Sequence, residues 1–331
     1  MQKFSFTHGL QSEIRNPKSE MDLSVVVPLF NEDESLPDLE AWIRRVMDAH
    51  RFTYEIIMVD DGSKDRSWQV VQDLGKKNPN VRGIKFRRNY GKSAALFVGF
   101  EAAKGEVVIT MDADLQDSPD EIPELRRMIV EEGYDLVSGW KQKRYDPIMK
   151  TIPSKFFNGV TRWISHIPLH DFNCGLKAYR KDVVKSIEIY GEMHRYTPLL
   201  AKWSGFGKIG EKVVEHRARK FGTSKFNGID RGVKGLLDLA SIMFIGKFGK
   251  RPLHFFGILG ALFFMAGFII LTYLSIAKLV FQEYGITERP MFFFGILTLI
   301  VGTQLFVTGF LAELLVRNST TRNQYVIEER T

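Results

Sequence analysis

The stretch VVITMDADLQDSPDE, Val107 to Glu121, begins as a buried strand and ends in a knot of carboxylates. Val107, Val108 and Ile109 are β-branched and apolar, the composition of a central strand. Asp112, Asp114 and Asp117 follow at once. Acids crowded at a strand's end repel one another, so the segment implies a cationic companion. Ser118 to Glu121 reads as a helix start, with Ser118 as N-cap, Pro119 at the first helical position and Glu121 closing a capping box. Asp112 and Asp114 precede that cap and are not explained by it. In an extended segment, positions i and i+2 face the same side. Two carboxylates so placed suit a hard divalent cation such as Mg²⁺ or Mn²⁺.

Outward from this stretch, strand and helix patterns alternate. LSVVVPLF, YEIIMVDD, VRGIKF and DLVSG read as further strands, with helical segments between them. That order predicts an α/β domain with a mostly parallel, Rossmann-like sheet and ligands at the carboxyl ends of its strands. Polar residues gather at those ends: Pro28 to Glu32, Asp60 to Ser63, and Asp112 to Gln116. No G-x-G-x-x-G or P-loop follows the first strand, which argues against the common dinucleotide and NTPase sites. Three acidic turns around one crevice suit a nucleoside diphosphate that arrives with a metal.

The C-terminal part changes the class of protein. Leu253 to Ala277 and Met291 to Ala312 contain no Asp, Glu, Lys or Arg. Each exceeds the roughly 20 residues a helix needs to cross a bilayer, so two transmembrane helices are expected. Lys247, Lys250 and Arg251 precede the first span, and Arg317 and Arg322 follow the second. In the loop between, Lys278 and Arg289 are offset by Glu283 and Glu288. The positive-inside rule then puts both outer flanks and the large N-terminal domain in the cytoplasm. The expected organisation is a flexible arm over 1–20, the α/β domain over 21–229 and membrane-surface helices over 230–252. Spans at 253–277 and 291–312 flank a periplasmic loop at 278–290, and a cytoplasmic tail covers 313–331. The arm lacks the apolar region of a signal peptide.

The formal charge of +7 is compatible with nucleic acid, a membrane surface or anionic substrates. No nucleic-acid-binding motif supports the first of these. The single cysteine, Cys174, rules out an internal disulfide and reads as a small buried hydrophobe.

VVVPLFNEDESL, IIMVDDGSKDRSW, the run from Arg87 to Leu125, and RARKFGTSK resemble in order and spacing the family 2 glycosyltransferases. Within that family they are most similar to the polyprenyl-phosphate glycosyltransferases related to dolichol-phosphate mannose synthase, and to the bacterial members with two membrane helices. The resemblance implies a GT-A fold and inverting transfer of a sugar from a nucleotide-sugar donor to polyprenyl phosphate. UDP-glucose or a related UDP-sugar is favoured over GDP-mannose. It implies a multi-pass protein of the inner membrane, with room for a homo-oligomer through the membrane region. Residue by residue, it implies that Pro28, Phe30, Glu32, Val59 and Asp61 line the nucleotide pocket. Phe30 stands where relatives often have Tyr. Asp112, Ala113 and Asp114 would meet the donor, and Asp112, Asp114 and Gln116 would surround Mg²⁺ or Mn²⁺. Arg219, Ser224 and Lys225, in the pattern R-x-x-G-x-S-K, would close over the diphosphate or grip the acceptor phosphate. Asp171 falls where relatives place an acid near the acceptor, and His194 and Arg195 are candidates for acceptor phosphate.

Two rival readings stand beside this one. A processive polysaccharide synthase of the same family usually shows Q-x-x-R-W, and here Gly159 occupies the Gln position before Arg162 and Trp163. A non-catalytic membrane scaffold would keep the fold but not the acidic and basic motifs.

Overall fold

The computed structural model describes residues 21–142, 158–163, 165–217, 252–280, 287, 289–318 and 327–330. The expected arm at 1–20 and the surface helices at 230–251 lie outside the described residues. The chain separates into two compact units. One comprises residues 1–145, 166–223 and 326–331, and the other residues 146–165 and 224–325.

The first unit is built on an eight-stranded sheet in the order β7-β5-β6-β4-β1-β2-β3-β8. Its strands are β1 (Leu23–Leu29), β2 (Tyr54–Asp60), β3 (Val81–Phe86), β4 (Val107–Thr110), β5 (Leu136–Trp140), β6 (Lys177–Arg180), β7 (Ile209–Val213) and β8 (Ile327–Arg330). β1, β2, β3 and β4 run parallel, as the alternating pattern predicts. β6 is antiparallel to both β4 and β5. Helices α1 (Leu36–His50), α2 (Ser67–Lys77), α3 (Lys92–Ala102) and α4 (Ile122–Val130) make the crossovers. α5 (Lys181–Ser186) and α6 (Thr197–Trp203) are short.

Two features of the sheet open a crevice. β1 lies between β2 and β4, so the chain leaves β1 in one direction and returns on the other side. Such a switch point is where open α/β sheets bind ligands. The β1–β4 pairing also ends at Val26↔Thr110, whereas β1 continues beside β2 to Leu29↔Asp60. β4 therefore departs early, and Pro28, which has no N–H to give, lies beyond its last β4 partner. The core beneath is apolar and closed, with Val25, Val27, Ile56, Met58, Val107 and Ile109 all buried.

One local reading is corrected. The capping box at Ser118 does not form. Residues Pro119–Glu121 make a 3₁₀ turn before α4, and Ser118 makes no side-chain cap bond. Glu121 instead pairs with Lys212 and accepts the Glu215 N–H at 3.1 Å. A charged partner and a donor from another segment outcompete the local cap. At the other end of the chain, the expected tail supplies β8, which pairs antiparallel with the edge strand β3.

The second unit contains α7 (Pro252–Leu279) and α8 (Pro290–Asn318), both long and apolar enough to cross a membrane. Most of their large side chains are exposed, unlike those of a core helix in a soluble protein. The helices are antiparallel and touch through backbone. A Cβ on Gly260 would lie 2.7 Å from the Gly302 oxygen and 2.8 Å from the Phe306 nitrogen. Small residues at such contacts are how helices pack where lipid removes the hydrophobic drive.

One buried polar cluster ties β1, β2 and the α3–β4 turn together. Glu55 accepts the Ser24 hydroxyl at 2.6 Å and the Lys104 N–H at 2.8 Å, and pairs with Arg82. Glu55→Ala strands these donors and is expected to cost about 3 kcal/mol. The melting temperature of the first unit in the full-length protein should fall by about 6–12 °C. A shift under a degree would show that the cluster contributes nothing.

Candidate active site

The crevice is walled by the turns that follow β1, β2 and β4, and these are fastened to one another. After β1, Asn31 turns back with φ +53. Its N–H donates to Ser63 Oγ at 2.9 Å, and its side chain accepts the Lys64 N–H at 2.9 Å. The Glu32 N–H donates to Ser67 Oγ at 2.9 Å. Pro28 and Val59 are register partners, so two candidate pocket residues share one rung. Phe30 follows β1 at the rim and is half-buried.

Asp61 is buried immediately after β2. Its carboxylate accepts the Tyr90 N–H at 2.7 Å and the Gly91 N–H at 3.0 Å. Burial pushes the acid up to about 6, against the pull of those two amides. Gly91 has φ +96, a conformation that side chains resist. It allows the chain to present two N–H groups to Asp61 and then enter α3.

Asp112 lies just past β4 with the opposite electrostatics. Burial disfavours its charge, but Lys92 and then Lys141 hold it down at about 2. Lys92 is the first residue of α3 and forms an ion pair with Asp112. A cation there opposes the helix dipole, and this carboxylate compensates it. From behind, Gly175 packs so closely that a Cβ would sit 2.6 Å from Asp112 Oδ2. Gly175 comes to this position because β6 runs antiparallel to β4, starting opposite Thr110. The Thr110 hydroxyl also donates to the Gly175 carbonyl at 2.8 Å.

Asp114 is buried, and its Oδ1 accepts the Gln116 N–H at 3.2 Å across Leu115, which has φ +60. The Gln116 side chain donates to the Arg217 carbonyl at 3.3 Å, and the Arg217 N–H returns to the Gln116 carbonyl at 2.9 Å. Arg217 also lies over the Trp42 ring, 4.4 Å from its centroid. The acidic turn is thus stitched to Arg217, the first residue of RARKFGTSK. Arg219, Ser224 and Lys225 themselves lie outside the described residues.

Asp117 pairs with Lys141 at 2.7 Å. Burial pulls the Lys141 ammonium down, and Asp117 more than reverses this, so it stays charged. Asp171 is buried and accepts the Asn173 N–H at 3.0 Å. Lys177 donates to the Cys174 carbonyl. Burial lowers the Lys177 ammonium, with Asp171 and Asp112 among the acids that support its charge. The Cys174 thiol is pushed by burial up to about 12, which fits the inert hydrophobe expected. His194 shares a 3.0 Å hydrogen bond between Nδ1 and Ser93 Oγ, and its N–H donates to the same oxygen at 3.0 Å. Burial, then Lys92 and Arg195, keep its imidazole neutral well below the usual histidine range. Arg195 pairs with Glu192 at 3.5 Å.

Sequence reasoning located the acids but missed the cations that hold them: Lys92, Lys141 and Lys177. It also missed Gly175. For Lys92 a signal was present, since a lysine opening a helix needs a fixed anion nearby.

As a donor set, the acidic turn fits a metal that brings ligands of its own. Among the described residues, no group of three or more His, Cys, Asp or Glu side chains could hold a metal. Magnesium-type sites commonly use one or two carboxylates completed by substrate phosphates. Asp114, with Asp112 and Gln116 two residues to either side, offers a donor set of that kind.

A mostly parallel Rossmann-like sheet with an acidic turn at its switch point is the arrangement of the GT-A fold. Residues 24–188 match the family model described as glycosyl transferase family 2. The chain is 36% identical over 305 residues to the dodecaprenyl-phosphate galacturonate synthase of Rhizobium johnstonii, covering 91% of this chain and 90% of that protein. It is 34% identical over 300 residues to the undecaprenyl-phosphate 4-deoxy-4-formamido-L-arabinose transferase of Pseudomonas paraeruginosa, covering 89% and 85% respectively. The chain therefore belongs to glycosyltransferase family 2, and it is an enzyme of that class. Among solved structures it resembles glucosyl-3-phosphoglycerate synthase from Mycobacterium tuberculosis in complex with Mn²⁺ and UDP-glucose. That likeness, with a TM-score of 0.53 at 19% identity over 69% of this chain and 79% of that one, is one of fold.

Gly175→Ala isolates the support behind Asp112. The added methyl has no room unless the carboxylate moves, and a displacement near 1 Å costs up to about 100-fold in rate. Sugar transfer is expected to fall at least about tenfold while the melting temperature changes little. Unchanged transfer would mean that Asp112 has no fixed position to lose.

Proposed function

We propose that the protein transfers a sugar from a nucleotide diphosphate to a polyprenyl phosphate, with inversion, at the cytoplasmic face of the inner membrane. The observation that carries this reading is the turn Tyr90–Ser93. It touches Asp61, Asp112 and His194 in succession, at one crevice. These three residues are candidates for the base, the donor sugar and the acceptor. The names of the two relatives give different sugars on one class of acceptor, which supports the lipid phosphate and leaves the sugar to experiment. The two apolar helices support membrane association. The excess of Lys and Arg on their outer flanks supports the orientation.

The division of labour follows the geometry. Asp61, already engaged by two loop amides, accepts an N–H of the base, with Pro28, Phe30, Glu32 and Val59 around it. Asp112 and Ala113 face the donor sugar. Asp114 and Gln116 would hold the metal, which when bound would offset the diphosphate charge as a Lewis acid. His194 and Arg195, with Ser224 and Lys225 farther along the chain, orient the acceptor phosphate. Arg219 steadies the departing diphosphate, a task suited to its planar fork. An acceptor phosphate oxygen forms the new bond to the anomeric carbon as the bond to the diphosphate oxygen breaks. The electron pair leaves with the diphosphate. Since the nucleophile is already anionic, the reaction needs alignment more than a base. Asp171, buried and tied to the Asn173 N–H, then serves the acceptor wall by its charge beside Lys177.

The direct test incubates membranes containing the protein with polyprenyl phosphate and a panel of nucleotide-sugars, GDP-mannose included, and weighs the lipid product. A mass increase of one sugar on the lipid phosphate is expected. A polymer, or no lipid-linked product from any donor, would refute the reading. In the same assay Asp114→Asn should nearly abolish transfer, as should excess chelator. Full activity under either condition would remove the metal role.

Asp61 gives a pH dependence of definite sign. Its folded pKa is raised to about 6, so the carboxylate takes up a proton as pH falls through that value. A protonated Asp61 no longer offers a charged acceptor to the base. Nucleotide affinity should weaken below pH ~6 by up to about tenfold per unit. The Asp61→Asn variant should bind weakly and lack this component. Parallel calorimetric pH profiles for the two proteins would remove Asp61 from the base site.

A further inference from the structure

The loop from Ile167 to Leu176 is neither helix nor strand, yet Asp171, Phe172 and Cys174 within it are buried. Buried backbone outside a ladder must find its hydrogen bonds elsewhere, and here one row of the sheet supplies them. Thr110, Lys177, Ser138 and Glu211 are successive register partners across β4, β6, β5 and β7. Partners in register share a face. Resting on the glycosyltransferase reading above, we propose that this polar row is a positioning device for the active site. It fixes the backbone of residues 170–175, and so keeps Asp171 in the wall of the site and Gly175 behind Asp112.

Every side chain of the row is bonded to that backbone. The Thr110 hydroxyl donates to the Gly175 carbonyl at 2.8 Å, and the Lys177 ammonium donates to the Cys174 carbonyl. The Ser138 hydroxyl donates to the Asp171 carbonyl at 3.3 Å. Glu211 accepts the His170 N–H at 2.7 Å and shares a second hydrogen bond with the imidazole of that residue. Thr110, Lys177 and Ser138 are buried, and adjacent polar groups on a buried face are costly without partners. The row and the loop therefore require each other. A loop held by apolar contacts alone could slide over the sheet, whereas three donors matched to three carbonyls, and an acceptor matched to an N–H, fix its register. Sliding would reach the site directly. Gly175 has its carbonyl on Thr110, while a Cβ on its other side would lie 2.6 Å from Asp112 Oδ2. Any shift of Gly175 moves the surface against which Asp112 rests. Asp171 likewise starts from backbone held by Ser138 and, one residue earlier, by Glu211.

Thr110, Lys177, Ser138 and Glu211 are thus positioning residues, acting through Asp112 and Asp171. The experiment measures single-turnover sugar transfer, calorimetric nucleotide affinity and melting temperature on the full chain in detergent. Thr110→Val, which keeps the shape and removes the hydroxyl, should slow transfer at least about tenfold and leave nucleotide affinity within about twofold. Thr110→Ser should recover most of the rate. The double variant Thr110→Val with Gly175→Ala should be little slower than the slower single variant, since both act on the place of Asp112. Glu211→Ala, at the far end of the row, should also slow transfer at unchanged nucleotide affinity. Glu55→Ala, which loosens the same domain elsewhere, should lower the melting temperature and leave transfer by the folded protein within about twofold. Unchanged transfer in Thr110→Val, or losses that multiply in the double variant, would overturn the proposal and leave the glycosyltransferase reading intact. Slowing in Glu55→Ala equal to that in Thr110→Val would do the same, because the row would then act only through stability. If Thr110→Val does not fold, Glu211→Ala decides, and unchanged transfer there overturns the proposal. Absence of lipid-linked sugar from the wild-type protein would overturn the reading itself, and the proposal with it.

Discussion

Like charges must be kept close together at the carboxyl ends of three strands, and the turn from Tyr90 to Ser93 is what makes this tolerable. One tripeptide, Gly91-Lys92-Ser93, supplies an amide to Asp61, an ammonium to Asp112 and a hydroxyl to His194. The acids that follow β2 and β4 both lie at the crevice, and the turn gives each its own partner. The sheet contributes the place, through the switch point at β1 and the early departure of β4. α3 contributes the hold.

The two acids are tuned in opposite directions by what surrounds them. Asp61 has two amides and the neighbouring Asp60 for company, and burial wins, raising it to about 6. Asp112 has ammonium groups, and they win, lowering it to about 2. Groups in one crevice whose environments drive their ionisation apart are suited to different tasks. A base contact at one end and a charged approach to the sugar at the other would use that difference. The neutral His194 extends the pattern, because a second cation beside Lys92 is disfavoured there.

Much of this was legible in the sequence, and the remainder was hidden for physical reasons. β-branched runs that end in acids marked the parallel strands and the crevice, since strand burial and charge at strand ends are both local signals. The two apolar spans were legible because length and lack of charge suffice. Lys92 and Asp112 are separated by a whole helix and strand, so their pairing is set by tertiary structure. Gly175 arrives from the antiparallel strand β6, whose position no local pattern encodes. The capping box at Ser118 was a sound local inference, overridden when Glu121 found Lys212 across the fold. β8 was missed because a short charged segment such as Ile327–Arg330 becomes a strand only by finding the open edge of β3.

The central claim is that the acceptor phosphate itself displaces the nucleoside diphosphate in a single step at this crevice. The anomeric configuration of the lipid-linked sugar, read by NMR against that of the donor supplied, tests it most directly. The account predicts a single anomer of inverted configuration. A product that retains the donor's configuration would require a second displacement on the protein, and would contradict it.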